Sequence, residues 1–190
     1  MSQPILYLLK MSLKINYLDQ KKSSNKNIAV FVDPNTKTKV FQGIFDDKID
    51  QKIANLIKNK KNSKDDKLYY FNQDFDQKLI VIFIVKANSE IEFEKLGASF
   101  YDFLKKNEIN DIYVNTPKFN FSKNKNLSLF NSFIHGAELK SYEFNLYKTD
   151  KKNNKINLTI NKKDIPQKSR KLDAILKGVN FTRDLVSEPG

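Results

Sequence analysis

Cysteine is absent from the 190 residues. That excludes disulfides, thiolate metal sites and a cysteine nucleophile, and leaves no sign of adaptation to an oxidising compartment. There is one histidine, His135, in the segment FIHGAEL. Any Ser-His-Asp system would have to run through that ring, and no G-x-S-x-G elbow or H-E-x-x-H pair accompanies it. A lone histidine beside glycine in an apolar helical pattern reads as a structural side chain. The five glycines, Gly43, Gly97, Gly136, Gly178 and Gly190, form no G-x-G pair, so no clustered-glycine loop is available to cradle a phosphate. The longest apolar run, LIVIFIV at 79–85, has seven residues, against the roughly 18 of a membrane span. The N-terminal run ILYLL has five, against the roughly 7–15 of a signal-peptide h-region. A soluble, cytoplasmic protein without a membrane partner is expected.

Arginine is nearly missing too. Of 34 basic residues only Arg170 and Arg183 are arginine, although the net charge is +12. Such a charge invites a polyanion partner. Bidentate contacts to phosphates and bases, however, favour arginine. The abundance of Lys, Asn and Ile runs through the whole chain, so a generally solvated lysine surface is the simpler reading.

What is present reads as alternating strands and helices. LKINYLD at 13–19 alternates apolar and polar residues with period two, a half-buried strand. IAVFV at 28–32 is a second strand, stopped by the turn chemistry of Asp33-Pro34-Asn35. Ile49, Ile53, Leu56 and Ile57 fall at helical spacing, with Asp46 or Asp47 as N-cap. The charged stretch KNKKNSKDDK is a loop, and LYYF at 68–71 a strand. KLIVIFIV is continuously apolar, which requires cover on both faces, as in the centre of a sheet. A helix follows, capped by Ser89, with Glu90, Glu92 and Glu94 at its positive end and a buried stripe of Phe93, Leu96, Phe100, Phe103 and Leu104. DIYVNT at 111–116 is a short strand. LSLFNSFIHGAELKSYEF reads as a helix with Leu129, Phe133, Ile134 and Ala137 inward, and KINLTI at 155–160 as a strand. A last helix is expected over 164–186, with Asp164 as cap, Pro166 in the first turn, and an inward stripe of Leu172, Ile175, Leu176, Val179 and Val186. The alternation argues for an α/β fold with a largely parallel sheet.

Carboxylates cluster at Asp46-Asp47, at Asp65-Asp66 and in the DFD of Asp74 and Asp76. Hard metals prefer such ligands. These lie in Lys-flanked loops with no Glu or His at ligand spacing, and read as solvated loops or caps. No catalytic, cofactor-binding or metal-binding residue is assigned. The 15 Phe and 8 Tyr fall mostly at core spacing rather than on a basic face, which weakens a base-stacking platform.

Three stretches together resemble the leucine (cytosol) aminopeptidase family. GAELKSYEFNLYKT at 136–149 is similar to that family's GA-x-L-x-SY-x-F-x-x-YKT segment. GVNFTRDLVSEPG at 178–190 is similar to its G-x-x-x-ARDL-x-N-x-P helix: Arg183, Asp184, Leu185, Glu188 and Pro189 fit, while Thr182 and Ser187 replace Ala and Asn. KLGASFYDFLKKNEINDIYVN resembles its unit of a glycine-bearing helix followed by a short strand. The likeness runs from about 11 to 190. Departures are the lack of a Gly-rich turn in FIVKANSE and a core rich in Phe and Ile.

The resemblance implies a macro-domain-like α/β domain over 11–163, a mixed, largely parallel sheet with helices on both faces. A long interdomain helix over 164–190 would follow, and residues 1–10 would be a loose arm or a misplaced start. It further implies a C-terminal catalytic domain beyond Gly190. That domain would hold two divalent metals (Mn or Zn) on a Lys, several Asp and a Glu, with a bicarbonate near an Arg. It would hydrolyse N-terminal residues from peptide substrates within a homo-hexamer. None of those ligands maps onto this chain. Two alternatives stay open: a free-standing macro-like module binding a nucleotide such as ADP-ribose, which the missing Gly-rich loops disfavour, and a DNA-binding module, which the charge favours and the scarcity of arginine disfavours.

Overall fold

The computed structural model describes residues 11–18, 27–36, 47–60, 67–74, 77–83, 89–116, 122–143, 155–161 and 170–187. The elements in chain order are β1 (Leu13–Leu18), β2 (Asn27–Val32), α1 (Asp47–Lys60), β3 (Lys67–Asp74), β4 (Gln77–Phe83), α2 (Glu90–Lys106), β5 (Asp111–Val114), α3 (Lys123–Lys140), β6 (Ile156–Asn161) and α4 (Arg170–Ser187). Six strands form one sheet in the order β1-β6-β5-β2-β4-β3. Every neighbouring pair is parallel except β3 with β4. The expected α/β class with a mixed, largely parallel sheet is therefore what the chain adopts.

The period-two reading of β1 holds over its first residues, while Tyr17, the next in the alternation, is exposed. Leu13 is buried, Ile15 packs against the core, and Lys14 is exposed. The continuous apolar run in β4 is covered on both sides, since Leu79, Ile80, Val81 and Ile82 are all buried. Alternate residues of a strand point to opposite faces, so the two core clusters mark two layers. Ala29, Phe31, Ile80 and Ile82 pack with α2 and α3. Val30, Val32, Leu79 and Val81 pack with Ile49, Ile53, Leu56 and Ile57 of α1. Helices thus cover both faces. Phe31 sits at the centre of the larger layer, edge-on to Phe130 and Phe133 with centroids 5.8 and 5.0 Å away, a geometry favoured by the ring quadrupoles.

Local chemistry fixes the boundaries. Asp33 accepts from the Asn35 backbone at 2.9 Å and from the Thr36 hydroxyl at 2.7 Å, and its carbonyl accepts from the Thr36 amide at 3.1 Å; this closes the turn after β2. Ser89 caps α2 by accepting from the Glu92 amide. The helix ends in a Schellman motif: Ile109 N–H donates to the Leu104 carbonyl and Glu108 N–H to that of Lys105, while Ile109 and Leu104 are both buried. Glu108 occupies the left-handed position, φ 54°.

α3 differs from the sequence reading at both ends. α3 begins at Lys123, capped by Ser122, because the hydroxyl outweighs the polarity of KNKN as a start signal. It ends at Lys140, which leaves Tyr142 outside the helix in a bridge with Met11. It is also buried nearly all round over its second half, Ser132 to Glu138 included, rather than along one stripe. α4 starts at Arg170; the expected cap Asp164 and first-turn Pro166 lie outside the described residues. Of its expected inward stripe only Leu176 is buried. Ile175 and Val186 are exposed, and Asn180 is buried instead.

α2 and α3 cross backbone to backbone. A Cβ on Gly97 would lie 1.9 Å from the Phe133 carbonyl oxygen, and one on Gly136 would lie 1.9 Å from that of Glu94. Each helix gives up a side chain where the other's backbone passes. Gly97→Ala or Gly136→Ala is expected to cost about 3 kcal/mol or more. Glu108→Gly is expected to stabilise by about 1 kcal/mol through relief of the left-handed position. Urea unfolding of the three variants checks both signs.

Candidate functional site

The end of α3 and the end of α4 meet beside α2 and form an open cleft of about 430 Å³ lined by Glu94, Lys95, Ala98, Gly136, Leu139, Lys140, Tyr142 and Arg183. Residues from all three segments that carry the family resemblance come together here: Lys95 and Ala98, Gly136 to Tyr142, and Arg183. Arg183 Nη1 donates to the Leu139 carbonyl at 2.7 Å, one of the unsatisfied last-turn acceptors of α3. Its guanidinium also lies 5.4 Å from the Tyr142 ring centroid, in cation–π range. Tyr142 Oη donates to Asp184 Oδ1 at 2.5 Å. Burial first, and the hydrogen bond to the Asp184 carboxylate second, push the Tyr142 phenol up to about 12.

The start of the sheet is tied to the same corner. Ser12 N–H donates to the Ser141 carbonyl, and the Ser12 hydroxyl donates to it at 2.8 Å. The same hydroxyl meets the Tyr101 hydroxyl at 2.5 Å. Lys105 pairs with Glu143 at 2.6 Å, and Lys140 with Asp102 at 3.1 Å. The hydrogen bond and charge of Glu143 raise the Lys105 ammonium's pKa, against a smaller lowering by burial.

This arrangement holds elements together. Among the described residues no three His, Asp or Glu side chains gather as metal ligands. His135 is buried in α3, and its Nδ1 has no hydrogen-bond partner among the described residues. Asp47 opens α1 on the surface and Asp74 ends β3; Asp46, Asp65, Asp66 and Asp76 lie outside the described residues. Gly97 and Gly136 serve the helix crossing. The Tyr142–Asp184–Arg183 node was not derivable from composition or periodicity. Its only sequence signal is that all three residues fall inside the family-like segments.

No family model matches the chain. Among curated proteins, a probable cytosol aminopeptidase of Phytoplasma mali (strain AT) is 37% identical over 67 residues, which are 30% of this chain and 14% of that protein. Among solved structures, a variant of tomato leucine aminopeptidase superposes with a TM-score of 0.66 at 16% identity, over 95% of this chain and 39% of that one. The bottromycin maturation enzyme BotP, in complex with Mn, superposes with a TM-score of 0.52 at 9% identity, over 86% of this chain and 32% of that one. The class is thus an α/β domain with the fold found within leucine aminopeptidases. Fold and local identity together support the N-terminal domain of the leucine (cytosol) aminopeptidase family. The chain spans well under two thirds of the length of each of these proteins.

The raised Tyr142 pKa fixes the sign of a pH effect. A phenol whose folded pKa lies above its ordinary value near 10 contributes stability that is complete below pH 10 and lost as pH rises through 12. Tyr142→Phe is expected to lower stability at pH 7 by about 1 kcal/mol. The gap between variant and parent should close between pH 10 and 12, as read by urea midpoints. A gap that stays constant to pH 12 would show that the phenolic proton is not held by Asp184.

Proposed function

We propose that the chain is the non-catalytic N-terminal α/β domain of a leucyl aminopeptidase. The full-length form would remove N-terminal amino acids from peptides by dinuclear metal-assisted hydrolysis, with the metals (Mn or Zn) held by its C-terminal catalytic portion. Residues 11–163 would form the domain and 164–190 the helix that leads onward. The whole would act in the cytoplasm as a homo-hexamer. The observation that carries this reading is the superposition of 95% of this chain on only 39% of a leucine aminopeptidase. A second support is the 37% identity over 67 residues to a probable cytosol aminopeptidase.

The test compares the 190-residue chain with the polypeptide read onward past codon 190, using a leucyl anilide with and without Mn²⁺. Amine release by the longer polypeptide alone, abolished by chelator, is the expected result. Metal-dependent release by the 190-residue chain would overturn the division of labour. A stop codon directly after Gly190 would overturn the peptidase reading.

A further inference from the structure

Gly178 is a glycine without a local reason. It stands inside α4, where glycine is the poorest helix former after proline, and a Cβ built on it meets nothing within 4 Å. The other two described glycines stand in helices at points where a second helix's backbone passes. Around Gly178 the outward side of α4 is mostly apolar: Ile175 is 42% exposed, Phe181 56%, Leu185 55% and Val186 82%, and Ala174 is exposed beside them, with exposed Lys171 on the same side toward the start of the helix. At 3.6 residues per turn these positions share an arc of about 140°. Leu176, Asn180 and Arg183, which face α3 or are buried, lie on the opposite side. Exposed Thr182 also lies on the outer arc, and its hydroxyl donates to the Gly178 carbonyl at 3.0 Å. An exposed apolar arc on a helix whose other side already meets α3 is a surface suited to being covered.

We propose that the outer face of α4 is a helix-docking surface, crossed at Gly178 by a helix of the catalytic portion of the same polypeptide, backbone against backbone. This identification of the occupant rests on the proposed function. On that reading most of the polypeptide lies beyond α4, and this chain matches only 39% of the tomato enzyme. Tethering gives such a helix a high effective concentration at this face. The small residues Ala174, Gly178 and Thr182, four apart, provide a flat track for close approach, and Ile175, Phe181 and Leu185 flank it.

The test is a reversal of sign. Gly178→Ala removes a poor helix former from an open position in the 190-residue chain, and is expected to raise its Tm by about 2–4 °C. In the full-length polypeptide the same methyl meets the docked backbone, and Tm falls. As a second readout, Thr182→Cys, labelled with a maleimide, is expected to react at least about ten-fold more slowly in the full-length polypeptide than in the 190-residue chain. Stabilisation by Gly178→Ala in both contexts, or equally fast labelling in both, would sink the docking proposal while an active full-length peptidase leaves the functional reading standing. Dimerisation of the 190-residue chain that Gly178→Ala abolishes would make a second copy the occupant and overturn it. A reading frame that stops after Gly190 removes both the functional reading and the tethered helix.

Discussion

The α2–α3 crossing is the constraint on which the rest of the larger layer depends. Two glycines, one per helix, let the backbones touch at Gly97 and Gly136. Close-packed interiors do not absorb a displaced helix. If the pair were held further apart, Phe100 and Phe133, now 5.3 Å between centroids, would separate, and Phe31 would lose its edge contacts. The crossing also sets where α3 ends, and therefore where Ser141 and Tyr142 can meet Ser12 and α4. A backbone contact with no side chain of its own thus positions hydrogen bonds at a distance from it.

The corner where α3 ends works by a different physics. An unsatisfied helix carbonyl, a guanidinium, an aromatic face and a carboxylate are matched one to one by Leu139, Arg183, Tyr142 and Asp184. Either arginine in a chain so rich in lysine draws notice, and Arg183 does what an ammonium does less well: a planar group that donates along one edge and stacks on a ring with its face. Both members of the family-like TRDL segment that carry charge are used to hold α4 to α3. The segment therefore has a structural use within this domain.

Strand and helix identities were legible because the periodicities were strong. β1 alternates, β4 is uniformly apolar, and α1 shows its four inward residues at helical spacing. The turn after β2 was legible from Asp33 and Pro34. Three things were not. The start of α3 was obscured because KNKN looks like loop, while a single serine decides the boundary. The buried side of α4 was misassigned because the helix is apolar on two faces, so hydropathy does not say which one turns inward; Asn180 went in and Val186 stayed out. The node at Tyr142 was invisible because it is a long-range pairing, which no local pattern encodes.

The sheet order carries a consequence for how the chain comes to be folded. β1, the first of the described strands in the chain, lies at the edge of the described sheet, and its neighbour is β6, with Leu13 opposite Ile156. At about 5–20 residues per second of synthesis, the N-terminal strand waits on the order of ten seconds for its neighbour. For that interval β2, β4 and β5 can associate, with α1, α2 and α3 around them, while the backbone donors and acceptors of β1 stay open to other chains. The alternation of Lys14 and Asn16 with Leu13 and Ile15 then has a second use. It keeps one face of the waiting strand hydrated, a guard against premature association until β6 is made.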